Sequence, residues 1–327
     1  MILTYQKFKL NVEVVSEIKL PYYKGSTFRG GFGSMFKRIV CALRKKECGE
    51  CMLRSKCVYT YIFETSPNQE ANMMNMDKYE KIPHPFVIEP PEEDLRSKIK
   101  DSRIYETGEK IDFSLILIGK ATDYLPYFIY TFEELGKIGI GKGRGRYRLM
   151  EVKKISNKRE RRQVEDKTVF LSSDRSIREV SIDRINIQEN FVPSYSLESI
   201  VMNFITPVRI KYRRDLVVKP EFHVIMRSLL RRIALLYYFH CGNKKPIWNH
   251  KEIINHAEKV SIKDSDIMWV DWERYSSRQG DKMKLGGIVG RVEYYGDVNP
   301  FFQILKAGEI LHIGKGTSFG LGKYEII

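Results

Sequence analysis

The sequence predicts an α+β fold made of two βαββαβ units in tandem. Three observations predict it. Each half reads strand, helix, strands, helix, glycine-rich loop, strand. The loop chemistry recurs, as Gly139-Ile140-Gly141-Lys142-Gly143-Arg144 in the first half and Ile313-Gly314-Lys315-Gly316-Thr317 in the second. Each loop follows an amphipathic helix and leads into a tyrosine, Tyr147 or Tyr324, and a short apolar strand. A repeat with matching chemistry is harder to reach by chance than a single glycine loop.

The elements follow in order. Leu3, Tyr5, Phe8, Leu10, Val12 and Val14 alternate as in a strand, which Pro21 and Gly25 end. A helix capped by Ser26 or Thr27 follows to about Leu43, with Phe28, Phe32, Phe36, Ile39 and Val40 at helical spacing. Gly30, Gly31 and Gly33 weaken that helix and suggest that a backbone or ligand comes close. Val58–Phe63 reads as a short strand, 66–82 as a loop, His84–Glu89 as an extended segment between prolines, and 92–110 as charged and exposed. Ile111–Ile118 is a strand, Asp123–Leu135 a helix, and Tyr147–Val152 a strand. Residues 153–190 are dense in charge. The scheme then restarts: strand Ile200–Ile210, helix Pro220 to His240, a short helix at 251–263, strands at Met268–Val270 and Gly287–Tyr295, and a helix at 298–311. The order is that of the ferredoxin-like (RRM-like) unit. It divides the chain into an N-terminal unit (1–155) with a cysteine-bearing insertion at 41–57, a charged connection (156–194), and a C-terminal unit (195–327) ending in the loop 314–322.

Composition narrows the function. A chain of 327 residues has room for two domains, and 43% hydrophobic residues can build a core. The net charge of +15 points to a polyanion partner. No apolar run is long enough for a membrane span, and the alternating N-terminus has no signal-peptide h-region. The expectation is therefore a cytoplasmic protein in a reducing environment, where clustered cysteines favour metal over disulfides.

Glycine-rich backbone with lysines can cradle phosphate. The closing loop, with Gly314, Lys315, Gly316, Gly320, Gly322 and Lys323, is read as an RNA-backbone cradle, with Phe319 and Tyr324 able to stack on bases. Lys142, Arg144 and Arg146 supply the same chemistry in the first loop. Arg274, Ser276 and Arg278, around Tyr275, suit phosphate and 2′-OH contacts. Arg227, Arg231 and Arg232 either line a groove or form the wet face of their helix. Cys41, Cys48, Cys51 and Cys57 have spacing for a structural zinc ion; an iron–sulfur cluster and incidental thiols are the alternatives.

These motifs resemble a known family. The closing His312–Tyr324 stretch, the segment Tyr23-Lys24-Gly25-Ser26-Thr27-Phe28-Arg29-Gly30-Gly31-Phe32-Gly33 followed by a cysteine cluster, Pro83–Pro90, and Trp272–Gln279 are similar to the RAMP-superfamily endoribonucleases that process precursor crRNA in CRISPR systems, the Cas6 family. The resemblance implies binding of repeat RNA and cleavage without a catalytic metal: a 2′-OH attacks its own phosphate and leaves a 2′,3′-cyclic phosphate. Implied partners are crRNA and CRISPR effector subunits, with the chain a monomer or homodimer. Many relatives carry a catalytic histidine on or after the first helix, whereas residues 34–47 here contain none. Candidates from the remaining residues are His84 and His223, for which structural roles are the commoner reading, and a histidine-free set of Tyr23, Lys24 and Lys37. The alternative is a non-catalytic RAMP subunit that holds crRNA in an effector complex.

Overall fold

In a computed structural model, residues 1–44, 47–65, 82–92, 96, 102–155, 166–188, 197–242, 244–246, 248–271, 273–276 and 281–327 are described, with side chains at 273–284 excepted. The first unit contains strands β1 (Ile2–Val14) and β2 (Ile18–Leu20), helix α1 (Gly25–Val40), and strands β3 (Phe86–Glu89), β4 (Arg103–Tyr105) and β5 (Lys110–Ile118). Helix α2 (Leu125–Ile138) and strands β6 (Tyr147–Lys154), β7 (Lys167–Leu171) and β8 (Asp183–Asn186) complete it. The sheet order is β3-β5-β1-β6-β7, antiparallel throughout. The second unit contains β9 (Ser199–Val208), the hairpin β10 (Lys211–Tyr212) and β11 (Asp215–Leu216), α3 (Phe222–Cys241) and α4 (His250–Ala257). It continues with β12 (Ser261–Val270), the paired β13 (Glu273–Ser276) and β14 (Asp281–Lys284), β15 (Gly287–Tyr295), α5 (Phe302–Leu311) and β16 (Tyr324–Ile326). Its sheet order is β12-β15-β9-β16. In both units the first βαββαβ strand lies between the third and the fourth, so the two ferredoxin-like units are present as the sequence predicts.

The packing explains the residue patterns. In α1, Phe28, Phe32 and Phe36 share one face, and Phe32 stacks on Phe128 of α2 with centroids 4.8 Å apart. A glycine at position 31 admits Leu135 of α2: a Cβ there would lie 3.1 Å from the leucine side chain. Strand β5 alternates between exposed and buried residues and then is buried continuously from Leu115 to Ile118. Both faces are covered there. Leu115 and Leu117 join the core under α1 and α2, whereas Ile116 and Ile118, with Leu3 and Tyr5 of β1, join the core that contains Ile225, Leu229 and Ile233 of α3. The second unit therefore packs on the back of the first sheet.

Three local readings are corrected. Val58–Phe63 is helical, ending in the turn Thr60–Glu64. Its aromatic residues mimic a strand, but Tyr59, Ile62 and Phe63 fall on one helical face and fill the α1 core. Helix α1 starts at Gly25, and neither Ser26 nor Thr27 caps it. Part of the charged connection is sheet: β7 pairs with β6 and β8 with β1, and Lys154 is drawn inward to Asp183 at 2.8 Å. The loop read at 66–82 lies outside the described residues apart from Ile82.

Candidate nucleic-acid interface

The two glycine loops are built alike. Helix α2 ends at Gly139 (φ 92°) and α5 at His312 (φ 62°). The next amide closes each loop, from Ile140 to the Gly145 carbonyl and from Ile313 to the Gly322 carbonyl, both at 2.9 Å. The loop lysine amides donate to the chain after each unit's first strand, from Lys142 to Lys19 at 2.9 Å and from Lys315 to Arg209 at 2.8 Å. Glycine is needed just before each lysine, because a Cβ would lie 2.3 Å from the Lys19 carbonyl at Gly141 and 2.5 Å from that of Arg209 at Gly314. Tyr147 and Tyr324 then each donate a hydrogen bond back to the preceding helix, at Phe132 and Leu305.

The closing loop does more than its counterpart. Residues 317–322 are buried at the junction between the units. The Tyr23 hydroxyl donates to the Phe319 carbonyl at 2.7 Å, and the Thr206 hydroxyl donates to that of Gly320 at 2.8 Å. Gly320 rests on Ile88 and Pro90, and Gly25 at the start of α1 rests on Phe319. Arg29 of α1 lies over the rings of Phe63 (4.1 Å) and Phe319 (4.7 Å) and donates to His84 Nε2 at 3.2 Å. Beneath the loop, buried His312 faces the Leu321 carbonyl through Nδ1 and Glu89 Oε1 through Nε2, both at 3.0 Å. Burial favours neutral Glu89, but the His312 hydrogen bond and the Lys7 charge 2.8 Å away outweigh it and hold the carboxyl far below its usual range. A cleft of about 30 Å³ opens here, lined by Tyr23, Lys24, Glu89, Thr206, Gly320 and Lys323 among others. It has room for about one water, so a phosphate would rest at its mouth. Burial and then the Arg103 charge lower the Lys24 pKa to about 8.

Family models account for most of this architecture. The model described as CRISPR-associated endoribonuclease Cas6 matches residues 202–324, and one described as an N-terminal domain matches residues 3–182. By this match the chain is a Cas6-family member over its C-terminal unit, residues 202–324. A curated relative from Archaeoglobus fulgidus, an uncharacterized protein, is 24% identical over 315 residues, which cover 94% of this chain and 92% of that one. Two solved structures share the fold over 99% of both chains. One, a Cas6 product complex, has 14% identity and a TM-score of 0.54. The other, Thermus thermophilus Cas6, has 13% identity and a TM-score of 0.52.

The junction gathers only some of the residues singled out in the sequence. Tyr23 and Lys24 are in the cleft. Lys37 lies more than three turns further along, roughly 20 Å from Lys24, with its ammonium 5.6 Å from the Tyr59 ring. The set Tyr23, Lys24 and Lys37 is therefore not assembled. His84 is at the junction, held between Arg29 and Thr65. His223 is at the start of α3, bonded to Glu221 and Arg227 and outside the lining of the cleft. The amides of Ile313, Lys315, Phe319, Gly320 and Gly322 all donate to the chain's own carbonyls, so the closing loop is not the open cradle expected of it. Gly314 and Gly316 are half-buried and Gly322 is buried. The Lys315 side chain is exposed, while Lys323 is paired with Glu92 at 2.7 Å. Lys142, Arg144, Arg146 and Arg231 are exposed. Arg232 instead is buried and donates to the Leu311 carbonyl, with a pKa that burial lowers to about 9. Arg274 and Ser276 lie on β13, their side chains outside the described set, and Arg278 lies outside it altogether.

The cysteines share one region. Cys48 feels the charges of Lys37, Cys41 and Cys57, and burial raises its pKa. Among the described residues no group of three or more His, Cys, Asp or Glu side chains is arranged to hold a metal ion. The donor set of Cys41, Cys48, Cys51 and Cys57 suits zinc. Arg29 and the Glu89–His312 pair were missed in the sequence. A carboxylate ending the apolar run Phe86–Ile88 between prolines was a visible signal for a buried charge.

Proposed function

We propose that this chain binds CRISPR repeat RNA and cleaves it at the junction between α1 and the closing loop. The observation that carries the reading is the cleft in which Lys24, with its lowered pKa, sits beside Tyr23 and Lys323. A lysine of pKa about 8 is part neutral near pH 7 and can accept a proton. In the proposed step the 2′-OH loses its proton to Lys24 Nζ, the 2′-oxygen bonds to phosphorus, and the P–O5′ bond breaks. The products are a 2′,3′-cyclic phosphate and a 5′-OH, the latter taking its proton from water. Lys323 and Arg29 add positive charge near the phosphorane. Tyr23 and His84 serve as positioning residues, because Tyr23 anchors Phe319 and His84 holds Arg29.

The test is incubation with repeat RNA in chelator. One discrete cut with a cyclic phosphate end, lost in Lys24→Ala while binding persists, is expected. A cut that needs added metal, or one undiminished in Lys24→Ala, refutes the mechanism. One observation favours the second reading, a crRNA-holding subunit without cleavage. His84, His223, His240 and His312 all have both ring nitrogens engaged by the chain itself. Bound but intact RNA would select that reading.

A further inference from the structure

The hairpin β10–β11 turns through Arg213 and Arg214, with φ of 49° and 78°. A two-residue turn with positive φ at both positions matches the twist of its strands and is normally filled by Asn-Gly. A side chain with a Cβ is sterically disfavoured there. Two consecutive arginines are thus the wrong residues for the backbone, and such outliers are held where they serve a purpose. Within the protein that purpose is not visible. Both side chains are exposed, and neither forms an ion pair among the described residues.

The root of the hairpin is fixed. The Tyr212 ring lies 5.3 Å from the Arg213 guanidinium and 5.9 Å from that of Arg227, and meets His223 edge-on at 5.5 Å. Arg227 in turn donates to Glu258 at 3.0 Å. The root also abuts the closing loop: the Arg209 carbonyl accepts from the Lys315 amide, and that of Ile210 from Val217. At about 3.3 Å per residue, the tip extends no more than roughly 16 Å from that contact. Beyond the Lys315 contact, therefore, the chain continues into a rooted turn that presents two guanidiniums. A guanidinium matches the bidentate geometry of phosphate.

We propose that Arg213 and Arg214 form a phosphate clamp that grips the RNA backbone beside the closing loop. This rests on the RNA-binding reading above. The test uses an RNA hairpin with a single-stranded flank, titrated across salt concentrations in chelator. In Arg213→Gln/Arg214→Gln the backbone mismatch is kept and the charge removed. The slope of log affinity against log salt is expected to shrink by about 1.8, two duplex phosphates at about 0.9 each, with the melting temperature unchanged. Arg213→Asn/Arg214→Gly should lose the same slope while melting roughly 2–6 °C higher. An unchanged slope in the Gln variant overturns the clamp while leaving RNA binding intact. Wild-type protein that binds no RNA at all removes the RNA reading and the clamp with it.

Discussion

His240 should make the junction between the two units sensitive to acid. It ends α3, fully buried, and its ring is shared with the first unit: Nε2 faces the Pro83 carbonyl at 3.0 Å and Nδ1 the Tyr61 hydroxyl at 3.2 Å. A neutral ring satisfies both, with Nε2–H donating and Nδ1 accepting from tyrosine. Burial, reinforced by the charges of Arg232 and Lys120, lowers the pKa from 6.5 to about 4, although the Pro83 carbonyl pulls the other way. The unfolded chain takes up this proton near pH 6.5 and the folded one only near pH 4. Stability is therefore present above pH 6.5 and lost as pH falls towards 4. The slope is about 1.4 kcal/mol per pH unit, so about 2 kcal/mol is lost between pH 6.5 and 5 and about 3 kcal/mol in all. Urea titrations of wild type and His240→Gln at pH 7, 6 and 5 would measure it. The variant starts less stable at pH 7, and the gap closes by about 2 kcal/mol by pH 5. Parallel pH profiles would refute the argument.

Other outcomes follow from the same geometry. If Lys24 is the proton acceptor, the single-turnover cleavage rate rises roughly tenfold from pH 7 to 9, tracking a group of pKa about 8; a rate flat across that range removes it from the chemistry. In Gly25→Ala the new Cβ would lie 2.0 Å from the Phe319 carbonyl. Displacing the closing loop should cost about 1–3 kcal/mol, seen as a lower melting temperature, and an unaltered melt would mean that the loop does not dock there. Lys315→Ala and Lys323→Ala should each shrink the salt slope of RNA binding, by up to about 0.7–0.9, and an unchanged slope in both would remove these lysines from the RNA contact. Metal analysis of protein purified without added metal is expected to find roughly one zinc per four cysteines. Bound iron with a visible absorbance band would replace zinc with a cluster, and an absence of both would leave the thiols incidental.

Much of the fold was legible because its signals are local. The phenylalanines of α1 recur at helical spacing, and the Lys142 and Lys315 loops repeat each other in sequence and in hydrogen bonding. Errors arose where local pattern and packing disagree. Tyr59, Ile62 and Phe63 suit a strand by composition but fill the α1 core as a helical turn. Lys37 is near Tyr23 in sequence but on a distant turn of the same helix. The junction could not be read at all by such means. Glu89 and His312 meet across 223 residues of chain, and Tyr23 and Phe319 across 296. The closing loop was judged from its glycines, whose role could be either to admit a ligand or to admit the protein's own backbone. Gly314, Gly320 and Gly322 show the second.

The residue that follows α2 and the one that follows α5 occupy one position in two copies of a unit. The chain turns there into a positive-φ conformation that glycine adopts freely, and Gly139 does so in the first copy. The second copy has His312 at φ 62°, where a side chain is disfavoured. Its ring reaches Glu89 of the other copy. The two loops thus differ at this one position. One kept the residue that makes the turn easy and leaves its basic rim to solvent. The other takes a harder turn and acts as a latch, tying the two units together beside the cleft of Tyr23 and Lys24.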